Sequence, residues 1–460
     1  MFKNRLYALG ICIVLALGIA QILYSCSKKK RRPIYFGPGT GTGTGVDPSV
    51  YFPPWHNIAP IEVISFSYDR AKSDEENGAA LADAILALQP GQKLEIGAGT
   101  YSINRWFNVL LHGTASAPIW ITGAPGDRPV LTRPDNAQNV MNVGSGLGSE
   151  YICFHGLDFT GGDDLIKLYK CTNIWIDECY IHNGDGVGIA ANSENTDHLY
   201  ITRNLIHDPG DADDTCEGMY LGANNSVYVM TDSIIALNHV HDCGGTQGDG
   251  IEVKQGSYNN WIVENHVHGT NYPCILVYGT DGNGINIIER NILYDSNDNI
   301  LQVQGEAIVR NNLMMGTGVG FASTDHQGQT LNLTFIHNTI ITPGRAANMS
   351  SWDGRDGMIF CNNVVYSRDA ESIRFPNGSS GVTVIGNVVL GTVTGVSIGF
   401  ITGNGLGDFV GVAWDASIRD ANPSGGSPII GMGDPNYAVP DDITGNTRKT
   451  GLDSGAFDYP

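Results

Sequence analysis

The chain has 460 residues, of which 60 are glycine and only 16% are charged, and its formal net charge is −21. This acidic balance argues against nucleic acid as a partner, because few cations are present to replace phosphate counterions. It also disfavours direct binding of an anionic polymer unless a bound cation reverses the local field. Many glycines and few charges are typical of short strands joined by tight turns.

The N-terminus predicts export. Lys3 and Arg5 precede an apolar run over residues 6–24, which is the pattern of a signal segment. The run ends in Leu-Tyr-Ser-Cys and resembles a bacterial lipoprotein cleavage box, with Cys26 as the lipidated residue. The alternatives are an uncleaved anchor, since about 19 apolar residues can span a bilayer, and a cytoplasmic chain. We expect residues 1–26 to attach the protein to the membrane at the cell envelope or surface.

Two segments separate this leader from the main body. Residues 27–50 are Gly/Thr/Pro-rich and predict a flexible linker. Residues 51–118 are expected to form an N-terminal cap and the first coils. An amphipathic helix is predicted near residues 78–88 from apolar side chains at helical spacing, which are Leu81, Ile85 and Leu88. Such a helix would cover the open edge of the first coil.

An asparagine then returns about every 25 residues, each followed two positions later by an aliphatic residue. The ladder consists of Asn204, Asn238, Asn265, Asn291, Asn311, Asn338, Asn363 and Asn387, with Leu157 and Cys179 in the same slot of two earlier coils. A period in the twenties, built from short alternating strands, predicts stacked coils that bury one shared core. We therefore predict an all-β parallel solenoid over residues 119–400 and a C-terminal cap over residues 401–460.

This layout resembles the right-handed parallel β-helix of the pectin-lyase-like superfamily. The N-terminal helix with Leu-Gln-Pro-Gly-Gln, the segment over residues 113–121 and the asparagine ladder carry the resemblance, which covers residues 75–460. It implies a right-handed β-helix with an N-terminal capping helix. The fold hosts lyases, hydrolases, epimerases and inert adhesins, so function has to be argued from a site.

An acidic residue begins the second strand of four successive coils: Asp164, Asp185, Glu217 and Asp249. Stacked carboxylates repel one another unless they are protonated or bridged by a cation. With Asp214 in the preceding loop, the set is rich in oxygen ligands and suits Ca²⁺ better than a transition metal. We predict Asp214, Glu217, Asp249 and Asp185 as metal ligands. The alternative is that an aspartate before glycine caps a turn.

Lys254 lies in the same coil as Asp249, on the outer face with Tyr220 and Glu252. β-Elimination from a uronate needs a base beside the carbon next to the carboxylate and a cation on that carboxylate. A lysine near calcium is pushed toward its neutral form. The alternative is a solvated surface lysine. Tyr220, Tyr258 and Glu252 are predicted to bind substrate, because tyrosine rings suit the flat faces of sugars.

Residues 214–222 and 247–254 resemble two successive coils of the alginate lyase and chondroitinase B family of polysaccharide lyases. The resemblance implies Asp214 and Asp249 as calcium ligands, Gln247 in place of an acidic ligand, and Lys254 as the base. The next coil departs from the family, which has an arginine acting as the acid where this chain has Tyr278. The Tyr278 hydroxyl is a possible proton donor, or the change marks lost activity or a different branch.

Six histidines form a further outward cluster: His182, His207, His239, His241, His266 and His268. Such a stripe suits either sugar or metal binding, but stacked imidazoles are more often structural. The sequence as a whole favours calcium-assisted β-elimination of an extracellular uronic-acid polysaccharide. A non-catalytic β-helix for adhesion, glycan binding or matrix structure is the second hypothesis. A glycoside hydrolase using Asp249 and Glu252 is the third.

Overall fold

The computed structural model describes residues 47–210, 215–449 and 452–460. The leader with Cys26, most of the linker, and Asp214 lie outside these ranges. Within them, no helix combines the length and the apolar character that a membrane span requires.

One α-helix, α1 (Asp74–Leu86), precedes the repeating strands. Ser73 and Glu76 form a capping box, in which each side chain accepts a hydrogen bond from the backbone N–H of the other. The helix therefore begins earlier than the apolar spacing predicts. Gly78 lets α1 approach the first coil, because a Cβ there would lie 2.2 Å from the Ser102 carbonyl oxygen.

The repeating strands form two parallel sheets, of 14 and 23 strands. The first is named face A, and the strands of the second are divided into faces B and C. Each full coil contributes one strand to each face in that order. Face A consists of Glu62–Phe66, Gln92–Ile96, Ile119–Gly123, Ser149–His155, Cys171–Asp177, Thr196–Thr202, Ile234–Ala236, Trp261–Val263, Asn286–Glu289, Ala307–Arg310, Leu333–Ile336, Ile359–Cys361 and Thr383–Ile385, with Met230–Thr231 beside it.

Face B consists of Thr100–Ser102, Val130–Arg133, Asp158–Gly161, Tyr180–His182, Leu205–His207, His239–Cys243, His266–Thr270, Ile292–Ser296, Leu313–Met315, Thr339–Thr342, Val364–Arg374, Asn387–Thr394 and Phe400–Thr402. Face C consists of Asn108–Val109, Met141–Val143, Ile166–Leu168, Ile189–Ala191, Met219–Leu221, Ile251–Val253, Ile275–Val277, Asn299–Val303, Val319–Ser323 and Ala347–Met349, after which the ends of Val364–Arg374 and Asn387–Thr394 continue it. An antiparallel pair, Phe409–Val412 and Arg419–Pro423, follows.

The predicted all-β parallel solenoid is confirmed, with about 12 turns. Alternation along the three-residue strands of face C sends the first and third side chains inward, and Met219, Leu221, Ile251 and Val253 are all fully buried. One continuous apolar core runs from α1 to the last coils. This stacking fixes the side chains that leave each coil, and so it positions any site on the outer surface.

The asparagine ladder holds the corner between faces A and B. Asn238 Oδ1 accepts hydrogen bonds from the backbone N–H and the side-chain amide of Asn204, both at 3.0 Å, and the same pattern recurs along the stack to Asn387. The Cys179 N–H donates to Asn204 Oδ1, so Cys179 occupies the ladder slot as predicted.

One ladder assignment is wrong by a residue. Asn312, and not Asn311, accepts the bond from the Asn291 N–H at 3.0 Å. The residue before each ladder asparagine adopts a left-handed turn conformation, and Asn311 takes it with φ 56°. Asparagine tolerates that conformation, so two adjacent asparagines fill two different roles that the period alone does not separate. The Asn311 amide donates instead to the Asp441 carbonyl at 2.9 Å.

Two non-repeating segments pack on the outside of the solenoid. Residues 47–58 cross face A, where the Trp55 ring packs edge-on against Trp120 at 5.7 Å between centroids. Residues 47–50, at the end of the predicted linker, belong to this packed segment, which contains the 3₁₀ turn Pro48–Tyr51. The C-terminal segment lies along the later strands of face B. Arg290 joins both segments, since it donates to the Tyr51 hydroxyl and pairs with Asp441.

Candidate functional site

The outer side of face C places the predicted catalytic residues on neighbouring coils. Tyr220 lies in register with Glu252 of the next coil, and Lys254 and Tyr278 each follow the last residue of successive strands. The Lys254 ammonium lies 4.4 Å from the ring centroid of Tyr220 and 5.3 Å from that of Tyr278. The structure therefore brings together four of the residues singled out in the sequence.

Lys254 is buried, with only 5% of its surface exposed. Its Nζ donates a short hydrogen bond to Glu252 Oε1. The alternative of a solvated surface lysine is therefore wrong. Burial is the largest single cause and lowers the pKa of Lys254, but the charge and hydrogen bond of Glu252 together with Tyr220 raise it by more, so the net pKa lies above the ordinary value. In the ion-free chain Lys254 is a cation, and Glu252 is its counter-ion and nearest proton acceptor.

Glu217 and Asp249 lie on adjacent coils at the corner that leads into face C, where the Gly218 N–H donates to the Asp249 carbonyl. Both are almost fully buried, at 1% and 3% exposure. Glu217 Oε2 and Asp249 Oδ1 accept no hydrogen bond within the described part of the chain. Orphaned buried carboxylate oxygens are costly, so these two atoms mark a position where a ligand is expected.

The pKa values of Glu217, Asp249 and Glu252 are all raised, which shows that this corner holds more acidic groups than its surroundings can keep ionised. Burial is the main cause that raises the pKa of Glu217 to about 7. Burial, followed by Glu252 and Glu217, raises the pKa of Asp249, and burial raises that of Glu252. Three carboxyl groups thus have only one nearby ammonium, that of Lys254, to compensate their charge. A bound cation would relieve this repulsion.

The other two members of the predicted acidic column are arranged differently. Asp164 is fully committed, since one oxygen accepts from the Val187 N–H at 3.1 Å and the other pairs with Lys167 Nζ at 2.6 Å. The placement of Asp185 in the column is wrong: Val187 occupies that position, because the Gly188 N–H donates to the Glu217 carbonyl. Asp185 lies two residues earlier, in the preceding turn. The Asp-Gly pair at Asp185 led to the misalignment, because it imitates the one at Asp249.

The donor set fits a hard cation such as Ca²⁺, since it offers carboxylate oxygens, two of which are unpartnered. The described residues do not supply a complete shell. Among them, the only three candidate ligands whose ligand atoms all lie within 4.8 Å of one another are histidines on face B. A calcium site on face C therefore also requires ligands beyond Glu217 and Asp249, and the predicted ligand Asp214 lies outside the described residues.

The predicted tyrosines lie in two places. Tyr278 is 4% exposed, and burial raises its pKa, so it is a neutral phenol and a possible proton donor. Its ring centroid lies 5.3 Å from that of His326. Tyr220 is half-buried against Lys254. Tyr258 lies at the corner that leads to face A, where its backbone pairs with Thr231.

Loops that sequence reasoning missed contact the residues beside Lys254, namely Gln255 and Tyr278. The loop over residues 324–330 reaches back along the solenoid, and the Gln327 amide donates to Asn224 Oδ1 at 2.9 Å. Gln255 and Ser226 both donate to Asp281. These contacts join residues up to 103 apart in sequence, so the coil period contains no signal for them. They explain why outward-facing side chains are buried here.

Two open cavities lie elsewhere. One, of about 420 Å³, lies on face A beneath residues 56–60, and the other, of about 460 Å³, is lined by the C-terminal segment. The acid in the first cavity, Asp177, is fully paired with His155, Thr202 and Arg203. Because each oxygen of Asp177 already has a partner, this acid is not available to a ligand, and the first cavity does not displace face C as the candidate site.

Comparison with known proteins agrees with this architecture. Residues 138–285 match the family model described as a right handed beta helix region. The XylC structure, in complex with xylose, is 10% identical with a TM-score of 0.50, and the match covers 74% of this chain and 86% of that one. The chain is a right-handed parallel β-helix, as the sequence predicts.

Two further solved structures are similar at lower scores. The pectate lyase Pel9A is 16% identical with a TM-score of 0.49, and the match covers 88% of this chain and 98% of that one. An alginate lyase from Paenibacillus sp. str. FPU-7 is 14% identical with a TM-score of 0.39, over 63% and 98% of the two chains. No curated protein matches the chain.

Proposed function

We propose that the chain is a polysaccharide lyase that cleaves a uronic-acid polymer by β-elimination on face C. The observation that carries this proposal is the buried Lys254, which lies between two tyrosine rings and beside the carboxylates Glu217 and Asp249 with their unpartnered oxygens. Solved proteins of similar fold include pectate and alginate lyases. Those likenesses concern the fold alone, so the proposal rests on the site.

The reaction assigns one role to each of these groups. Neutral Lys254 removes the proton from the carbon next to the uronate carboxylate. The electron pair forms a carbon–carbon double bond, and the adjacent carbon–oxygen bond of the glycosidic linkage breaks. The leaving oxygen takes a proton, for which Tyr278 is the donor, because burial keeps its phenol protonated. Glu252 accepts the proton that Lys254 must release before it acts as a base.

Calcium completes the proposed site. Glu217 and Asp249 would hold it together with Asp214, and the ion, when bound, neutralises the uronate carboxylate on which negative charge develops. A bound cation would also reverse the local field at the site, where a chain of net charge −21 otherwise repels an anionic polymer. Tyr220 is positioned to contact a sugar ring. The export and membrane attachment proposed from residues 1–26 place this chemistry at the cell envelope, and cell fractionation tests that location.

The test is the absorbance of unsaturated uronate during incubation with alginate, pectate and chondroitin, with calcium and with a chelator. We expect product from one of these polymers in calcium, and at least a 100-fold lower rate in the chelator. Absence of product from every polymer, together with tight binding of one of them, contradicts the lyase and supports the non-catalytic alternative.

The protonation of Glu217 predicts a pH-dependent stability in the ion-free chain. Its folded pKa of about 7 lies above the ordinary glutamate value of 4.5, so the folded chain binds this proton more tightly than the unfolded chain. The stabilisation is therefore fully present below pH 4.5 and is lost as the pH rises through 7. We expect wild type to lose about 3 kcal/mol of unfolding free energy over this range relative to Glu217→Gln.

Urea unfolding between pH 4 and about 8 in a chelator measures this difference. Calcium provides the control, because it should remove most of the pH dependence by holding the carboxylate ionised. Parallel curves for wild type and Glu217→Gln in the chelator would show that Glu217 titrates normally, and would remove the electrostatic argument for a cation at this corner.

A further inference from the structure

The outer side of face B carries a column of stacked aromatic side chains. His182, His207, His241, His268 and Tyr294 stack in that order, with ring centroids 5.1, 5.1, 5.1 and 4.5 Å apart and planes within 10° of parallel. His239 and His266 form a second, shorter column beside it, with centroids 4.7 Å apart. The parallel register creates both columns, because it pairs His239 with His266 and His241 with His268.

Three of these histidines converge across the two columns. His239 comes from one coil, and His266 and His268 come from the next, at alternate positions of one strand. One ring nitrogen of each lies within 4.8 Å of the others, and the Nε2 atoms of His239 and His268 are 3.0 Å apart. All three side chains are half-buried, so the cluster is open to solvent on one side. We name it the histidine triad.

We propose that the histidine triad binds Zn²⁺ or a similar divalent transition metal. A tetrahedral zinc site with Zn–N distances of 2.0–2.1 Å places its nitrogens about 3.3 Å apart, which small side-chain rotations can reach from the observed spacing. Imidazole nitrogens select zinc, copper or nickel over calcium. Three protein ligands and an open side leave a fourth position for water or an incoming group.

The surroundings of the histidine triad favour neutral imidazoles, the form that binds metal. Burial is the main cause that lowers the pKa of His239 and His268 to about 4 and that of His266 to about 2. The neighbouring His241 ring lowers all three pKa values further, and His207 lowers that of His239. Arg419 lowers the pKa of His266 and His268, and Asp242 opposes the shift at His239 and His268. The Arg419 guanidinium lies 4.2 Å from the centroid of the Tyr294 ring. Its positive charge repels a metal cation and therefore lowers the metal affinity of the triad.

This site is separate from the proposed calcium site. It lies on face B rather than face C and offers nitrogens rather than oxygens. A metal here would join the strands His239–Cys243 and His266–Thr270 of two successive coils. Because it would bind the folded chain and not the unfolded one, it would raise the thermal midpoint in proportion to the logarithm of its concentration.

The experiment is calorimetric titration of the full chain with Zn²⁺ in excess calcium, which occupies oxygen sites. Wild type is expected to bind about one Zn²⁺, and His239→Gln and His268→Gln are each expected to bind it at least about 10-fold more weakly. His207→Gln is the matched control. His207 stacks in the same column but lies outside the triad, so this substitution removes a stacked imidazole and keeps all three proposed ligands. Titration with Co²⁺ adds the visible absorption of a four-coordinate ion.

Two results would overturn the proposal. The first is absence of saturable Zn²⁺ binding by wild type. The second is binding that His239→Gln and His268→Gln leave unchanged, or that His207→Gln weakens as much as they do. Circular dichroism of each variant separates loss of the ligand from loss of the fold. A weaker Zn²⁺ affinity with an unchanged spectrum therefore supports the proposal.

Discussion

Replacing Lys254 by alanine is expected to abolish the lyase reaction, lowering kcat/KM by about 10³-fold. The change removes the proposed base and leaves Glu252 buried without its counter-ion. Because an uncompensated buried charge destabilises a protein, Lys254→Ala alone does not separate catalysis from folding. Lys254→Arg does, since arginine retains the charge and the ion pair but cannot act as a base at neutral pH. We expect both variants to be inactive and Lys254→Arg to be folded.

The matched control is Lys167→Ala. Lys167 also extends from face C beside an acid, its partner Asp164 at 2.6 Å, but it lies on an earlier coil. We expect the activity of Lys167→Ala to remain within about threefold of wild type, because Lys167 is not among the proposed catalytic or binding residues. Initial rates of unsaturated-uronate formation measure all three variants. Full activity of Lys254→Arg would rule out Lys254 as the base even if the chain proves to be a lyase.

Replacing Asn291 by alanine is expected to cost about 3–5 kcal/mol of unfolding free energy, the largest stability effect we predict for a single ladder position. Asn291 is fully buried. It accepts bonds from the Asn265 N–H and side-chain amide, and it donates to the Ile262 carbonyl and Asn312 Oδ1. Alanine removes the acceptor of both Asn265 donors and the donor to the Ile262 carbonyl, all of them buried, whereas Asn312 Oδ1 keeps its bond from the backbone N–H of residue 291. Urea unfolding of wild type and variant measures the loss.

Asn297→Ala provides the comparison for this prediction. The Asn297 amide also bonds to another asparagine, Asn271, at 3.1 Å, but the pair is exposed. Water replaces a lost exposed hydrogen bond, so we expect a change within about 0.5 kcal/mol. Equal effects at the two positions would mean that the ladder is not the element that holds the coils together.

The repeat was readable from the sequence because each coil must solve the same packing problem. Every coil has to bury two or three aliphatic side chains and to supply hydrogen-bond partners for the backbone groups at the same corner. The side chain of the ladder asparagine supplies them with one acceptor oxygen and two N–H donors. The alternation that places Met219 and Ile251 inward, and Glu252 outward, follows from the same geometry. Local rules therefore predicted the parallel solenoid and the face that carries Lys254.

The errors arose where two residues satisfy one rule. Asn311 and Asn312 both suit the corner, and only the left-handed conformation of the first places the second in the ladder. Asp185 precedes glycine as Asp249 does, but its coil reaches face C two residues later. The hydrogen bonds of neighbouring coils set such offsets, and one coil read alone does not contain them.

The surroundings of the candidate site could not be predicted from the sequence for a different reason. The burial of Lys254 and the contact of His326 with Tyr278 depend on loops that return across several coils. Loops follow no period, so their packing cannot be obtained from the repeat. The histidine stripe was visible as a stripe, whereas the convergence of its three members depends on the lateral register of two strands.

The most direct test of the central claim is the mass of the products formed from a defined uronate oligosaccharide in the presence of calcium. β-Elimination breaks the linkage without adding water, so the two product masses must sum to that of the substrate, with the unsaturated sugar at one new end. We predict this result for wild type and Lys167→Ala, and intact substrate for Lys254→Arg. Products that together contain one added water would identify a hydrolase, and intact oligosaccharide with wild type on every uronate tested would contradict catalysis on face C.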